Sequence, residues 1–322
     1  MSQQYFVCND NSHPEAQPKP IRAQNLPVTI RVRLMEQSIQ DCIDELRRST
    51  RMIAVIGASL KLRADLDVAP SVAELIRHGA EMALGEDLAT LSAADAHALL
   101  VSIEMAIAES SELLRHPERA TTWKVEDADL LQATTRASSA AFTRILALAE
   151  TRPALRGALN GVFLDVGTGG GGIALKAAEA CPDLEVDAID LWQPALALAR
   201  QNIAASPYGD RIRLSDLDVT ALPSRPRYTL VWLPTMFLSR AVLEQALDRI
   251  VAASRGGASI VAALYTAPDD PFLAVMAALR TLRSGGEVTE PSELETMLRA
   301  RGYRDVEIDI APIATFVLGR LP

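Results

Sequence analysis

The stretch whose reading decides the fold is Phe163-Leu164-Asp165-Val166-Gly167-Thr168-Gly169-Gly170-Gly171-Gly172, followed directly by Ile173-Ala174-Leu175-Lys176-Ala177-Ala178. A short apolar run of this kind reads as a buried strand, the glycines as a tight turn, and the alanine-rich continuation as a helix. Strand, glycine turn and helix in that order place backbone N–H groups at the carboxyl end of a sheet, where ligands bind in open α/β folds. Glycine suits the turn because a side chain would hold a ligand away from the backbone. Spacing alone leaves two readings open. Gly167, Gly169 and Gly172 form the G-x-G-x-x-G of a dinucleotide loop, whereas Gly167, Gly169 and Gly171 form a G-x-G-x-G.

Downstream of this stretch, short apolar runs alternate with amphipathic segments, the signature of βα units around a parallel sheet. Strands are expected at residues 162–166, 184–189, 211–214, 228–233, 259–264, 306–310 and 315–318, with helices centred on 174–180, 194–204, 240–253, 271–283 and 292–301. The last two strands join through Ala311-Pro312 with no helix between them, so an antiparallel strand closes an otherwise parallel sheet. The expected fold class is therefore α/β, a doubly wound seven-stranded sheet with a closing antiparallel strand.

Upstream the grammar is helical. Ile30, Leu34, Ile39, Ile43 and Leu46 fall near helical spacing, and Ser71-Val72-Ala73-Glu74 after Pro70 has the form of a capping box. Ser92 with Asp95 opens a long helix ending near His116-Pro117, and a further helix runs from about Glu126 to Glu150. Residues 1–27, with Pro14, Pro18, Pro20 and Pro27, read as an extended arm. The division expected is a flexible arm at 1–27, an all-helical cover at 28–159 that holds substrate and offers a dimerisation surface, and a nucleotide-binding domain at 160–322.

Three acids separate the readings of the glycine turn. Asp165 stands two residues before the first glycine, where a carboxylate suits an ammonium group and repels a pyrophosphate. Asp190 ends the second strand, in Val186-Asp187-Ala188-Ile189-Asp190, and can accept hydrogen bonds from both hydroxyls of a ribose, which fits either cofactor. Asp218, in Ser215-Asp216-Leu217-Asp218-Val219, lies just beyond the third strand, where it can accept a bond from an adenine amino group.

With these residues in place, the segment from Phe163 to Pro322 resembles the class I S-adenosylmethionine (SAM)-dependent methyltransferase superfamily. The resemblance is carried by Asp165-Val166-Gly167-Thr168-Gly169-Gly170-Gly171, Ile189-Asp190-Leu191-Trp192, Asp218, Trp232-Leu233-Pro234, and Glu293-Leu294 with Leu298-Arg299-Ala300-Arg301-Gly302-Tyr303. It implies SAM as cofactor. Asp165, Gly167, Thr168, Gly169 and Gly171 would hold the methionine end and Asp190 the ribose. Leu191 and Trp192 would flank the purine, with Asp218 and the Val219 N–H reading adenine and Leu233 lying beside the cofactor.

Composition narrows the partners. A formal net charge of -9 argues against nucleic acid, whose phosphates need a concentrated basic surface. No apolar run is long enough to span a bilayer, no secretory leader is visible, and the three cysteines fit a reducing cytosol and lack metal-ligand spacing. A small molecule is the expected partner, a homodimer the second expectation, and no metal is expected.

The catalytic residues are the open question. All four histidines, His13, His78, His97 and His116, precede the glycine turn, so the late-chain histidine base of helical-domain O-methyltransferases is missing. Proximity and alignment can suffice when the methyl donor is strongly activated. Trp232, Thr235, Met236, Phe237 and Tyr265 are the candidate acceptor-lining residues. Tyr5 and Phe6 are candidates for a lid, and Arg31, Arg33, Arg47, Arg48 and Arg51 make the first helix locally basic. Two rival readings stand beside methyl transfer to a specialised metabolite. One is an intramolecular cyclase similar to azetidine-2-carboxylate synthases, releasing methylthioadenosine; the other is a non-catalytic SAM-binding protein.

Overall fold

The run Val162-Phe163-Leu164-Asp165-Val166 is buried at every position and forms β1 (Val162–Val166), over the residues expected. The computed structural model describes residues 38–64, 66–85, 88–119, 127–266, 269–311 and 314–322. The arm at 1–27 with Tyr5, Phe6 and His13, together with Ile30, Arg31, Arg33, Leu34, Glu126 and Pro312, lies outside them. The chain divides into two units, Met1–Glu45 and Leu46–Pro322. In the first unit, Ser38 and Asp41 cap the start of helix α1 (Ile39–Lys61), the Asp41 N–H donating to Ser38 Oγ at 3.2 Å.

Four further helices precede the sheet among the described residues: α2 (Pro70–Leu84), α3 (Ala93–Arg115), α4 (Ala128–Thr151) and α5 (Pro153–Ala158). The capping box expected at Ser71 does not form. Pro70 takes the first helical position, where its missing N–H costs nothing, and Ala69 stands at the cap without a side-chain bond. The helix start expected at Ser92 does form, with Ser92 Oγ accepting from the Asp95 N–H at 3.1 Å. Asp127 caps α4 in the same way through the Leu130 N–H.

The remaining elements are α6 (Gly172–Ala180), β2 (Glu185–Asp190), α7 (Gln193–Ala204), β3 (Ile212–Asp216), β4 (Tyr228–Pro234), α8 (Arg240–Ala253), β5 (Ser254–Tyr265), α9 (Pro271–Arg283), α10 (Pro291–Ala300), β6 (Arg304–Asp309) and β7 (Ala314–Arg320). The strand order is β3-β2-β1-β4-β5-β7-β6, and β7 is antiparallel to both of its neighbours. β5 begins at Ser254, earlier than the expected 259, and takes in Gly256-Gly257. In the fold these residues belong to an irregularity that carries the register from Tyr228↔Ser254 to Leu230↔Ser259.

Alternation along the strands splits the core in two. Leu164, Val166, Val231 and Leu233 pack with Leu243, Leu247 and Ile250 of α8 and Leu294 and Leu298 of α10. Phe163, Leu230, Trp232, Val261 and Phe316 pack on the other face, with Ala174, Ala177 and Ala178 of α6 and Phe142, Ile145 and Ala149 of α4. Arg144 of α4 clips that helix to the closing hairpin: its Nε donates to Asp309 Oδ2 at 2.8 Å, its Nη1 donates to the Ala314 carbonyl at 2.7 Å, and its guanidinium lies over Phe316. Among the described residues no helix is long and apolar enough to cross a membrane.

Candidate functional site

β1 and β4 are adjacent, and the chain leaves them toward opposite sides of the sheet order. That is the topological switch point where a crevice opens at the strand ends. The glycine turn lies at this point. Gly167, Gly169 and Gly171 have φ of +65°, +57° and +86°, a conformation costing other L-residues roughly 1–2 kcal/mol. Gly170 and Gly172 are required for a different reason. A Cβ on Gly170 would lie 2.1 Å from Thr135 Oγ1, and one on Gly172 would lie 2.0 Å from the Thr135 carbonyl oxygen and 2.5 Å from Ser138 Oγ. Helix α4 thus rests directly on the turn. A Cβ on Gly169 would meet nothing within 4 Å.

The turn is tied to its surroundings by three bonds. The Thr168 N–H donates to the Ile189 carbonyl at 3.0 Å, the Gly169 N–H to Asp190 Oδ2 at 2.8 Å, and Asn202 Nδ2 to the Gly170 carbonyl at 2.8 Å. Asp190 therefore joins the β1 and β2 ends. Its Oδ1 also accepts from the Leu191 and Trp192 N–H groups, at 2.7 and 2.9 Å. Burial raises its proton affinity, and those backbone donors oppose the rise.

Asp165 is the anomaly of the site. It is fully buried; Oδ2 accepts from the Thr168 hydroxyl at 2.6 Å, while Oδ1 has no hydrogen-bond partner. Burial pushes its carboxyl up to about 7. The Thr168 hydroxyl opposes that rise, the Asp190 charge adds to it, and the Ala174 N–H near the start of α6 opposes it. A buried carboxylate with an orphaned oxygen is a site short of a cation. SAM carries an ammonium on its methionine end, so the residues present fit it.

The other expected cofactor residues are distributed less evenly. Leu191 is 57% exposed at the tip of β2, free to meet a purine face. Trp192 instead packs into the apolar cluster of Met105 from α3 with Leu130, Leu131 and Ala133 from α4. Asp218 Oδ1 caps the short turn Val219–Ala221, accepting from both the N–H and the hydroxyl of Thr220 at 2.8 Å. Val219 is buried, and the Leu233 side chain is fully buried in the core beneath α8, which leaves only its main chain for the crevice.

On the acceptor side, the five candidates separate into core and cleft. Trp232 and Met236 are buried, Trp232 meeting Phe316 edge-on at 5.3 Å, and Thr235 is buried with its hydroxyl donating to the Ala263 carbonyl at 2.8 Å. Phe237 and Tyr265 are half-buried and meet at 86° with ring centroids 6.2 Å apart. Over the Tyr265 ring, 3.9 Å from its centroid, lies the guanidinium of Arg280 from α9, ion-paired with Glu109 of α3. Neither Arg280 nor Glu109 was singled out from the sequence. The shared i, i+3 spacing of Glu109/Glu112 and Arg280/Arg283, which form a two-rung ladder between α3 and α9, was the available signal. His78, His97 and His116 are all exposed.

Gly286, after α9, fixes the β4 exit loop. A Cβ there would lie 2.1 Å from the Met236 carbonyl oxygen, a backbone atom that can yield only if its peptide moves, and the next residue's N–H bonds the Leu238 carbonyl at 3.2 Å. Gly286→Ala is expected to displace the Met236-Phe237 peptide, lowering the melting temperature in proportion to an overpacking cost of about 1–3 kcal/mol. Cofactor affinity, read by calorimetry, is expected to stay near the parent value, since the glycine turn is untouched.

Comparison with known proteins agrees with this geometry. Residues 163–257 match the family model described as a methyltransferase domain. The release factor glutamine methyltransferase of Bordetella pertussis is 46% identical over 69 residues, 21% of this chain and 25% of that protein. The tRNA1(Val) (adenine(37)-N6)-methyltransferase of Vibrio campbellii is 37% identical over 66 residues, 20% of this chain and 28% of that protein. The chain therefore spans only about a quarter of the length of these curated relatives. Among solved structures, the pyocyanin biosynthetic protein PhzM superposes with a TM-score of 0.60 at 16% identity, covering 92% of this chain and 100% of that one. Human N-acetylserotonin methyltransferase, solved in complex with SAM, gives 0.53 at 17% identity, covering 89% and 98%. At these identities the likeness is one of fold. Residues 163–257 thus match a methyltransferase-domain model, and the chain shares the fold of these solved structures.

Proposed function

We propose that the chain is a SAM-dependent methyltransferase acting on a small, specialised metabolite, by proximity and alignment rather than through a late-chain histidine. The observation that carries this reading is the buried, half-unpartnered Asp165 beside Asp190 at the β1/β4 crevice. When bound, the cofactor supplies a methyl group already activated by a sulfonium. The chain's own work is to hold and enclose. Asp165 and the glycine turn hold the ammonium end, and Asp190 the ribose. Leu191, Asp218 and the Val219 N–H contact the adenine, while Trp192 seats that edge against α3 and α4. The helical segment before residue 160 covers the acceptor and excludes water, which strengthens the charge contacts inside. Residues 160–322 form the cofactor domain in this division of labour. The net charge of -9 favours a small acceptor over the nucleic acid of the tRNA-modifying relative. A cytoplasmic homodimer, joined through apolar helix faces, completes the proposal.

The test is calorimetry with S-adenosylhomocysteine, followed by incubation with SAM alone and with an acceptor panel. Binding, and S-adenosylhomocysteine formed only when an acceptor is present, is the expected result. No binding sinks the reading. Methylthioadenosine formed from SAM alone replaces it with a cyclase, and binding without turnover across the panel replaces it with a non-catalytic protein.

A further inference from the structure

Four side chains that the cofactor site leaves unused meet beyond the carboxyl ends of β4 and β5. Phe237 and Tyr265 form a corner of two nearly perpendicular rings. The Arg280 guanidinium lies over the Tyr265 ring, and its Nε faces Glu109 Oε1 at 2.5 Å. The pair comes from two different helices, α9 and α3.

The second rung of the same ladder shows what holding those helices together requires. Arg283 and Glu112 are buried, their side chains 10% and 7% exposed, with Arg283 Nη2 donating to both carboxylate oxygens at 3.0 and 2.8 Å. Arg119 approaches the same carboxylate, and Arg283 also bonds the Pro117 and His116 carbonyls. That rung is saturated and structural. The Arg280–Glu109 rung is the open one, its side chains 26% and 35% exposed, and it stands on an aromatic floor at the ligand-binding end of the sheet.

We propose that this corner is the acceptor subsite, and that it takes a neutral, planar arene carrying a hydroxyl next to a second oxygen. The inference rests on the transferase reading and adds the class of substrate. Arg280 offers only donors and Glu109, ionised, only acceptors. Side by side they recognise a donor beside an acceptor: the hydroxyl donates to Glu109, and the neighbouring oxygen accepts from Arg280. The pair is neutral as a whole, so an anionic acceptor would meet the Glu109 charge and a cationic one the Arg280 charge. The half-buried Phe237 and Tyr265 leave apolar ring surface for contact with a flat ligand. Burial pushes the Glu109 carboxyl up, against the influence of Arg280, so a donated hydrogen bond relieves a partly desolvated carboxylate.

The full chain, saturated with S-adenosylhomocysteine, is titrated with catechol, guaiacol, 1,2-dimethoxybenzene and benzoate and followed by ligand-detected NMR. Catechol and guaiacol are expected to bind, 1,2-dimethoxybenzene about tenfold more weakly for want of a donor, and benzoate least of all. Glu109→Gln and Arg280→Lys are each expected to weaken catechol binding about tenfold with S-adenosylhomocysteine affinity unchanged. The ligand series on the parent protein decides the matter even if a variant fails to fold. The proposal falls if 1,2-dimethoxybenzene or benzoate binds as well as catechol. It falls equally if neither catechol nor guaiacol binds the cofactor-loaded chain, or if both folded variants keep the parent's catechol affinity. Failure to bind S-adenosylhomocysteine overturns the transferase reading instead.

Discussion

Asp165→Asn is expected to lower the affinity for S-adenosylhomocysteine by about 10- to 100-fold, or roughly 1.4–2.8 kcal/mol, while raising the melting temperature of the ligand-free chain at pH 8. The two effects have one cause. In the folded protein the carboxyl is buried with one oxygen unpartnered, and its pKa rises from 3.8 to about 7. The folded state therefore holds a proton that the unfolded state has released between these values. Stability linked to this group is complete below about pH 4 and is lost as pH rises through about 7. At pH 8 the ionised carboxylate opposes folding by on the order of 4 kcal/mol, and the isosteric amide removes that opposition. The amide can also keep its contact with the Thr168 hydroxyl, which is able to donate or accept.

Cofactor binding follows the opposite trend with pH. A bound ammonium favours the ionised carboxylate, so the parent protein should bind S-adenosylhomocysteine more weakly as pH falls from 8 to 6. The Asn variant should lose that pH dependence. Thermal scans of both proteins at pH 4, 6 and 8, with calorimetry at pH 6 and 8, check all of these points. A variant less stable than the parent at pH 8, or an affinity equal to the parent's, would remove Asp165 from the cofactor site.

How much of this was legible in the sequence follows from the range of the interactions. β1 was readable to the residue because its five positions are all buried, and a run buried on both faces has no competing pattern. Asp165 and Asp190 were readable because strand tips are set by local pattern, and the parallel register of β1 and β2 then brings those tips together. Trp232, Thr235 and Met236 are read as acceptor-lining candidates from their place at and just beyond the end of β4. Strand alternation turns Trp232 under α4 instead, and Thr235 bonds back to β5. The Arg280–Glu109 pair, the contact of Gly286 with Met236 and the contact of α4 with the glycine turn join segments far apart in the chain. The i, i+3 spacing of Glu109/Glu112 and of Arg280/Arg283 marks a charged face on each helix, but no local pattern pairs one distant segment with another, and only the packed fold reveals those contacts.

The glycine turn itself supplies the second large effect, because its glycines serve two purposes that spacing cannot separate. Gly172→Ala would put a methyl group 2.0 Å from the Thr135 carbonyl oxygen and 2.5 Å from Ser138 Oγ. Neither α4 nor α6 can yield cheaply. α4 is buried through Phe142, Ile145 and Ala149 and is clipped to Asp309 by Arg144, while α6 is buried through Ala174, Ala177 and Ala178. The variant is expected to lose about 3 kcal/mol of stability or more, at the upper end of overpacking costs, read as a fall in melting temperature and in soluble yield. Gly169→Ala meets no atom within 4 Å and bears only the strain of its +57° φ, about 1–2 kcal/mol. Its methyl group would occupy the open space above the turn, so it should fold but bind S-adenosylhomocysteine poorly. One glycine is thus kept for packing and its neighbour for the ligand. Equal losses of stability in the two variants, or unimpaired binding by the Gly169 variant, would show that the turn is not divided in this way.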